Sequence, residues 1–420
     1  METQSAQQRY LELFFDLQRA QWENYAEGAG HDLTAIDDTV YTCLLNAGES
    51  IDSTGRAAVI WHSIQRRGLV DKHPAVSLLR NRLDDWDNYS LGLPPAGEAP
   101  AERRLLLAAR MQPDVLRLMQ LRNSLAQQMG YVSYPELVMQ SEELELQAAR
   151  QLVSEYLQRH LDRARQLVRE QQITWSNWFS DLSRLGQLPF IADAEVLTAD
   201  LLGRLGLADA LSSLSLRVNS GGLAGYTGVL APGRDLRMLL RPIRSLAELR
   251  TFCHELGHAC CHALNRATGL CQTWTASYDE AMAVLLEQIG LQMLLPEAAL
   301  EQARRIALLE NVRCAISFLF ELELWERPAR AETLYDQHYG QLGLDVGNPV
   351  VWALDSFRSI DPVYIQNYVL GALIAEKVMH RLEQVHGRDY RHWGQELRAL
   401  FVDGRNRSLR SKLADAGVEF

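Results

Sequence analysis

The chain has 420 residues, 47% of them hydrophobic, with 42 Lys and Arg against 53 Asp and Glu for a net charge of −11. That length and apolar content allow a large buried core and exclude a disordered or fibrous chain. An acidic balance without clustered cations also excludes a nucleic-acid surface, which needs a basic patch to neutralise phosphates.

The N-terminal stretch METQSAQQRYLELFFDLQRAQWENYAEG carries charges every few residues and has no basic segment leading into an apolar run. No secretory signal is expected from it. The longest apolar runs, such as the one around Ile289 to Leu295, are interrupted by Gln or Glu and fall short of the roughly 20 residues a membrane span needs. The expectation is a cytoplasmic protein with no membrane partner. Six cysteines, at 43, 253, 260, 261, 271 and 314, show no CxxC pairs. Reduced, mostly buried thiols are expected in place of a disulfide framework or a zinc knuckle.

From residue 5 to about 170, apolar residues return at three- and four-residue spacing, which predicts helix almost throughout. Tyr10, Leu13, Phe14, Leu17 and Trp22 make one stripe; Leu105, Leu106, Ala109, Met111, Leu116, Met119 and Leu121 make another. Breaks are expected at Gly28-Ala29-Gly30, in the proline-rich stretch Leu91 to Ala101, and at Gly130. Between Leu211 and Leu240 the texture changes to alternating Ser, Gly and apolar residues, predicting short strands with glycine-rich connections. Helical periodicity then runs from Leu246 to the C-terminus, interrupted near Gly340 to Pro349 and at Asp361-Pro362. The fold class expected is mainly α with one small β-sheet. A single unit over 1–420 is expected, with an N-terminal helical lobe over 1–120. The lobe over 121–420 would hold the sheet at about 211–240 and a helix pair at about 246–295.

That pair carries the chemistry. Ala247 to Leu264 reads AELRTFCHELGHACCHAL, so His254 and His258 stand four residues apart on one helical face and can bind one ion. Glu255, one position after the first histidine, is angled toward a water at that ion and can act as its general base. A catalytic zinc site needs a third protein ligand and an open position. Glu280, 22 residues beyond His258, is the candidate if the first helix ends near Gly269 and a second begins near Ser277. Asp279, its neighbour, and Glu287, two turns on, compete with it for that place; with Glu280 as the ligand, both are read as carboxylates that hydrogen-bond the ligand histidines. His262 continues the histidine stripe and is read as an outer or cleft residue. One Zn²⁺ per chain is the implied cofactor.

The segment Gly221 to Tyr226 has small residues where an extended peptide can pair, which makes Gly222, Ala224 and Tyr226 candidate substrate-binding positions. A glycine-rich turn between structural strands is the alternative for the same residues.

HELGHA followed by YDEAMAVLLEQ resembles the gluzincin peptidases of the oligopeptidase F and thimet oligopeptidase family, and more distantly the angiotensin-converting-enzyme family. In the first group the ligand glutamate also precedes a second glutamate by seven residues, as Glu280 precedes Glu287. Leu121 to Leu137, LRNSLAQQMGYVSYPEL, is similar to the segment that opens their catalytic region, with Arg122, Asn123, Gly130, Tyr131 and Tyr134 in matching places. Asp361 to Ala375, DPVYIQNYVLGALIA, resembles their tyrosine loop, with Tyr364 and Tyr368 at the positions that face the scissile carbonyl. The chain departs from the family in being shorter and in carrying Ser356, Phe357 and Arg358 where a histidine usually precedes that loop. The resemblance implies a zincin-like helical fold with a deep cleft and a zinc metallopeptidase acting on short, unfolded oligopeptides. It also implies Tyr364 and Tyr368 as donors to the oxyanion. The two rival readings are a zinc amide hydrolase of a specialised substrate and an inactive peptide-binding scaffold.

Overall fold

The structure, a computed structural model, describes residues 6–47, 55–93, 100–219 and 223–418. The chain forms two compact units, one from Met1–His62, Leu182–Ala307 and Leu370–Phe420, the other from Ser63–Asp181 and Leu308–Val369. As the periodicity predicts, both are mainly helical.

In the first unit the N-terminal helix Ala6–Glu27 ends where Gly28 and Gly30 take positive φ, and Leu33–Asn46 follows. Five strands come next: β1 (Pro189–Ala192), β2 (Leu214–Val218), β3 (Gly225–Ala231), β4 (Asp235–Leu240) and β5 (Ile243–Ser245). β4 is the centre of a three-stranded sheet, parallel to β2 and antiparallel to β3, so β3 is an edge strand. β1 and β5 form a separate antiparallel pair that the sequence reading did not contain. At four and three residues they are too short to show a period of two.

β5 leads straight into the motif helix, Leu246–Leu264. Ser245 caps it, accepting from the Ala247 amide, while its hydroxyl donates to the Glu248 carboxylate. The helix stops at Leu264, before the expected Gly269, because Asn265 turns extended and Gly269–Gln272 forms a 3₁₀ turn. Thr275 caps the next helix, Ala276–Leu294, by accepting from the Tyr278 amide. The two helices bury Phe252, Leu256, Leu285 and Ile289 in one core with Leu201 and Met238. Each such side chain contributes about 1.5–3 kcal/mol on burial. Their backbones touch at Gly257, where a Cβ would lie 2.6 Å from Ala283 Cα and 2.9 Å from its carbonyl oxygen.

The second unit contains the helices Pro100–Gln128, Tyr134–Ser141 and Leu146–Glu170, among others. Within the segment that resembles the family, the Asn123 carboxamide oxygen accepts from the Tyr134 amide at 2.9 Å. Buried Arg122 donates to the Ser359 carbonyl at 2.7 Å and lies over the Tyr134 ring. The tyrosine loop is held from beneath: Glu321 accepts from the Val363 amide at 2.8 Å and pairs with Arg358 at 3.3 Å, both side chains 1% exposed. Val363 has φ 55, a conformation a β-branched residue adopts only when its surroundings impose it. All six cysteines are free thiols, five of them buried and Cys43 half-buried. Among the described residues no helix is long and apolar enough to cross a membrane.

Candidate metal centre

The four-residue spacing on the motif helix puts the His254 and His258 rings side by side, centroids 4.9 Å apart and nearly perpendicular. The helix Ala276–Leu294 delivers Glu280 to them, 4% exposed, with one ligand atom from each of His254, His258 and Glu280 within 4.8 Å of the others. His254 Nε2 and Glu280 Oε2 are 3.3 Å apart. That is the edge of a tetrahedron with bonds of about 2.0–2.1 Å, so two imidazoles and one carboxylate at this spacing fit zinc.

The other nitrogens face carboxylates. His254 Nδ1 lies 3.3 Å from Glu287 Oε2, and His258 Nδ1 lies 3.0 Å from Asp279 Oδ1. Glu287 in turn holds Arg250 at 3.0 Å, and Asp279 holds His262 at 2.8 Å. Three carboxylates, Asp279, Glu280 and Glu287, stand against the two rings, and among the described residues the guanidinium that meets them is that of Arg250, on Glu287. The histidines respond to that imbalance. Burial lowers the His254 pKa, but Glu280 and Glu287 outweigh it and hold the group well above its ordinary value. His258 is pushed up to about 9, Asp279 overcoming the opposing effect of burial. Burial raises Asp279 and Glu287, yet their cationic neighbours leave both below the usual carboxylate range.

Glu255 points from the same helix toward β3. The Thr227 hydroxyl reaches its Oε2 at 2.7 Å and its backbone oxygen at 3.1 Å. Gly225 allows this approach: a Cβ there would stand 2.6 Å from Thr251 Cγ2 and 2.7 Å from Glu255 Cγ. Of the predicted substrate-binding positions, Ala224 is exposed just ahead of β3 and Tyr226 sits within it. Tyr226 packs against Trp22 and Tyr25 of the N-terminal helix, at centroid distances of 6.2 and 5.0 Å. Gly222 lies outside the described residues. Tyr364 and Tyr368 belong to the second unit, half-buried, with ring centroids 5.8 Å apart and both rings packed on Phe357. The sequence reading missed Arg250 and Thr227. Arg250 stands one turn before His254 on the same stripe and was readable; Thr227 meets Glu255 only through a strand-to-helix contact that no local pattern encodes.

No protein-family model and no curated protein matches the chain. Solved structures do. The M32 carboxypeptidase from Deinococcus radiodurans R1 superposes with a TM-score of 0.69 at 14% identity, covering 98% of this chain and 93% of its own. PZ peptidase A, solved with an inhibitor, gives 0.62 at 12% identity over 98% and 82%. A protein provisionally assigned as an oligoendopeptidase F gives 0.60 at 13% identity over 98% and 80%. The chain has the helical fold of these peptidases. A match across nearly its whole length accompanies a residue identity so low that the likeness is one of backbone. The resemblance read from HELGHA, YDEAMAVLLEQ and the tyrosine loop therefore holds at the level of architecture.

Proposed function

We propose that the protein is a zinc-dependent peptidase that hydrolyses short, unfolded peptides. The observation that carries this reading is the convergence of His254, His258 and Glu280 within 4.8 Å, one residue from a carboxylate that is not among them. His254, His258 and Glu280 would hold the ion. When bound, zinc acts as a Lewis acid on the scissile carbonyl and makes a water nucleophilic at neutral pH.

The rest is the work of this chain. Glu255 takes a proton from the attacking water and passes it to the leaving amine. The Thr227 hydroxyl, donating to Oε2, fixes the carboxylate's rotation. β3, at the sheet's edge, offers unpaired backbone groups to which an extended peptide can add as a strand; Gly222, Ala224 and Tyr226 are the proposed contacts at its start. Tyr364 and Tyr368 keep the role the resemblance gives them, donation of hydrogen bonds to the developing oxyanion.

The test is turnover of a quenched-fluorescent peptide set by the wild type and by Glu255→Gln, with metal content measured in both. The variant is expected to retain zinc and lose about 100- to 10,000-fold in rate. Undiminished turnover would remove Glu255 from its role, and a wild-type protein that takes up no stoichiometric zinc would sink the reading.

A further inference from the structure

The motif helix carries four polar side chains at four-residue intervals on one face: Arg250, His254, His258 and His262. The second ligand helix answers with Glu287, Glu280 and Asp279, and the two rows interleave. His254 and His258 occupy the middle of the row. Arg250 and His262 stand one turn outside them, at opposite ends.

We propose that Arg250 and His262 are positioning residues for the metal centre: each anchors the carboxylate that orients one ligand imidazole. This inference rests on the reading of His254, His258 and Glu280 as zinc ligands.

At one end Glu287 is shared between its two oxygens, Oε1 lying 3.0 Å from Arg250 Nε and Oε2 lying 3.3 Å from His254 Nδ1. At the other end a single oxygen, Asp279 Oδ1, receives both His262 Nε2 at 2.8 Å and His258 Nδ1 at 3.0 Å. The terminal torsions of Asp and Glu are broad, so a carboxylate contacted by one partner alone can rotate. A second partner removes that freedom. Without it, Asp279 and Glu287 can release the ligand ring or turn toward the cation themselves.

His262 is built for this use. Its side chain is 1% exposed, and its ring lies edge-on to Trp274 at 4.4 Å, which in turn packs edge-on to Phe14 of the N-terminal helix at 5.1 Å. Nδ1 of this ring is buried without a hydrogen-bond partner among the described residues. The bond to Asp279 is thus the ring's directional contact, and it sets the tautomer with hydrogen on Nε2. Arg250 and Glu287 are similarly enclosed, 15% and 13% exposed, where an ion pair is screened less than at the surface.

The experiment compares His262→Phe and Arg250→Met with the milder His262→Gln and Arg250→Lys, which keep a donor. Zinc affinity is read by chelator competition, and thermal unfolding of the metal-free proteins is followed in parallel. His262→Phe and Arg250→Met are expected to bind zinc about 10- to 100-fold more weakly, a larger loss than their metal-free melting temperatures account for, the Arg250→Met protein being the less stable of the two because Glu287 loses its guanidinium. His262→Gln and Arg250→Lys are expected to recover a large part of that loss. Affinities within twofold of wild type in the first pair overturn the proposal. So does a loss of affinity that tracks a loss of metal-free stability, or a second pair no better than the first. If the wild type itself takes up no zinc, the reading beneath the proposal fails; if the wild type binds and the variants match it, this proposal alone fails.

Discussion

Two buried charge networks lie in different units of the molecule, and they balance their charges by different means. Around His254 and His258 stand three carboxylates, Asp279, Glu280 and Glu287, with the guanidinium of Arg250 on one of them, and these carboxylates raise the pKa values of the imidazoles against the effect of burial. Beneath the tyrosine loop, the guanidinium of Arg358 meets Glu321 and, at 3.5 Å, Asp355. There burial raises Glu321 to about 7 despite Arg358, so the excess is met by a carboxyl that partly neutralises. Beneath the loop the pair of Arg358 with Glu321 holds backbone, here the strained turn at Val363; at the histidines the charge is carried by rings that could take a metal ion in place of protons.

The contrast breaks most readily at Arg358. Arg358→Met strands Glu321 and Asp355 and is expected to cost about 3–5 kcal/mol, read as denaturant midpoint, with a deeper loss at pH 8 than at pH 5.5. A variant as stable as wild type would mean that the pair clamps nothing.

The next effect belongs to the histidines. The folded pKa of His258 is raised to about 9, so its proton's contribution to metal-free stability is complete below about pH 6.5 and is lost as pH rises through about 9; His254 shifts in the same direction. On the proposed reading, zinc would have to displace those protons. Its affinity is therefore expected to rise between pH 7 and 9 by about tenfold per pH unit for each proton released. Calorimetry in buffers of differing ionisation enthalpy counts those protons, and binding without proton release would contradict the raised pKa values.

The smallest effect sharpens the comparison from the other side. With its folded pKa raised to about 7, Glu321 binds more protons in the folded than in the unfolded chain across pH 5–7, so its contribution to stability falls as pH rises through that window. Glu321→Gln should flatten that slope in a series of melting temperatures against pH; an unaltered slope would assign it to another group.

The fold and the site differ in how far the chain reveals them. Helices from residue 6 onward follow from apolar spacing, and β2 to β4 fall inside the stretch whose texture shifts to Ser, Gly and alternating residues. The histidine pair follows from a spacing of four, and the return of Glu280 needs only two helices joined by a short connection. What local pattern does not encode is contact between distant segments. Thr227 reaches Glu255 across a strand-helix packing, and the support of Val363 by Glu321 joins residues 42 apart. The early end of the motif helix turned on Asn265 going extended, although Gly269, itself at φ 56, looked the more natural stop.

At Gly257 the two ligand-bearing helices lie backbone against backbone, with no side chain between them to act as a spring. Such a contact leaves little play in the frame, since neither helix can slide inward and sideways motion must carry both. Entry and escape of an ion would then depend on the swing of individual side chains at the mouth of the site. The lifetime of the loaded state would be governed by those rotations, with the scaffold behind them standing still.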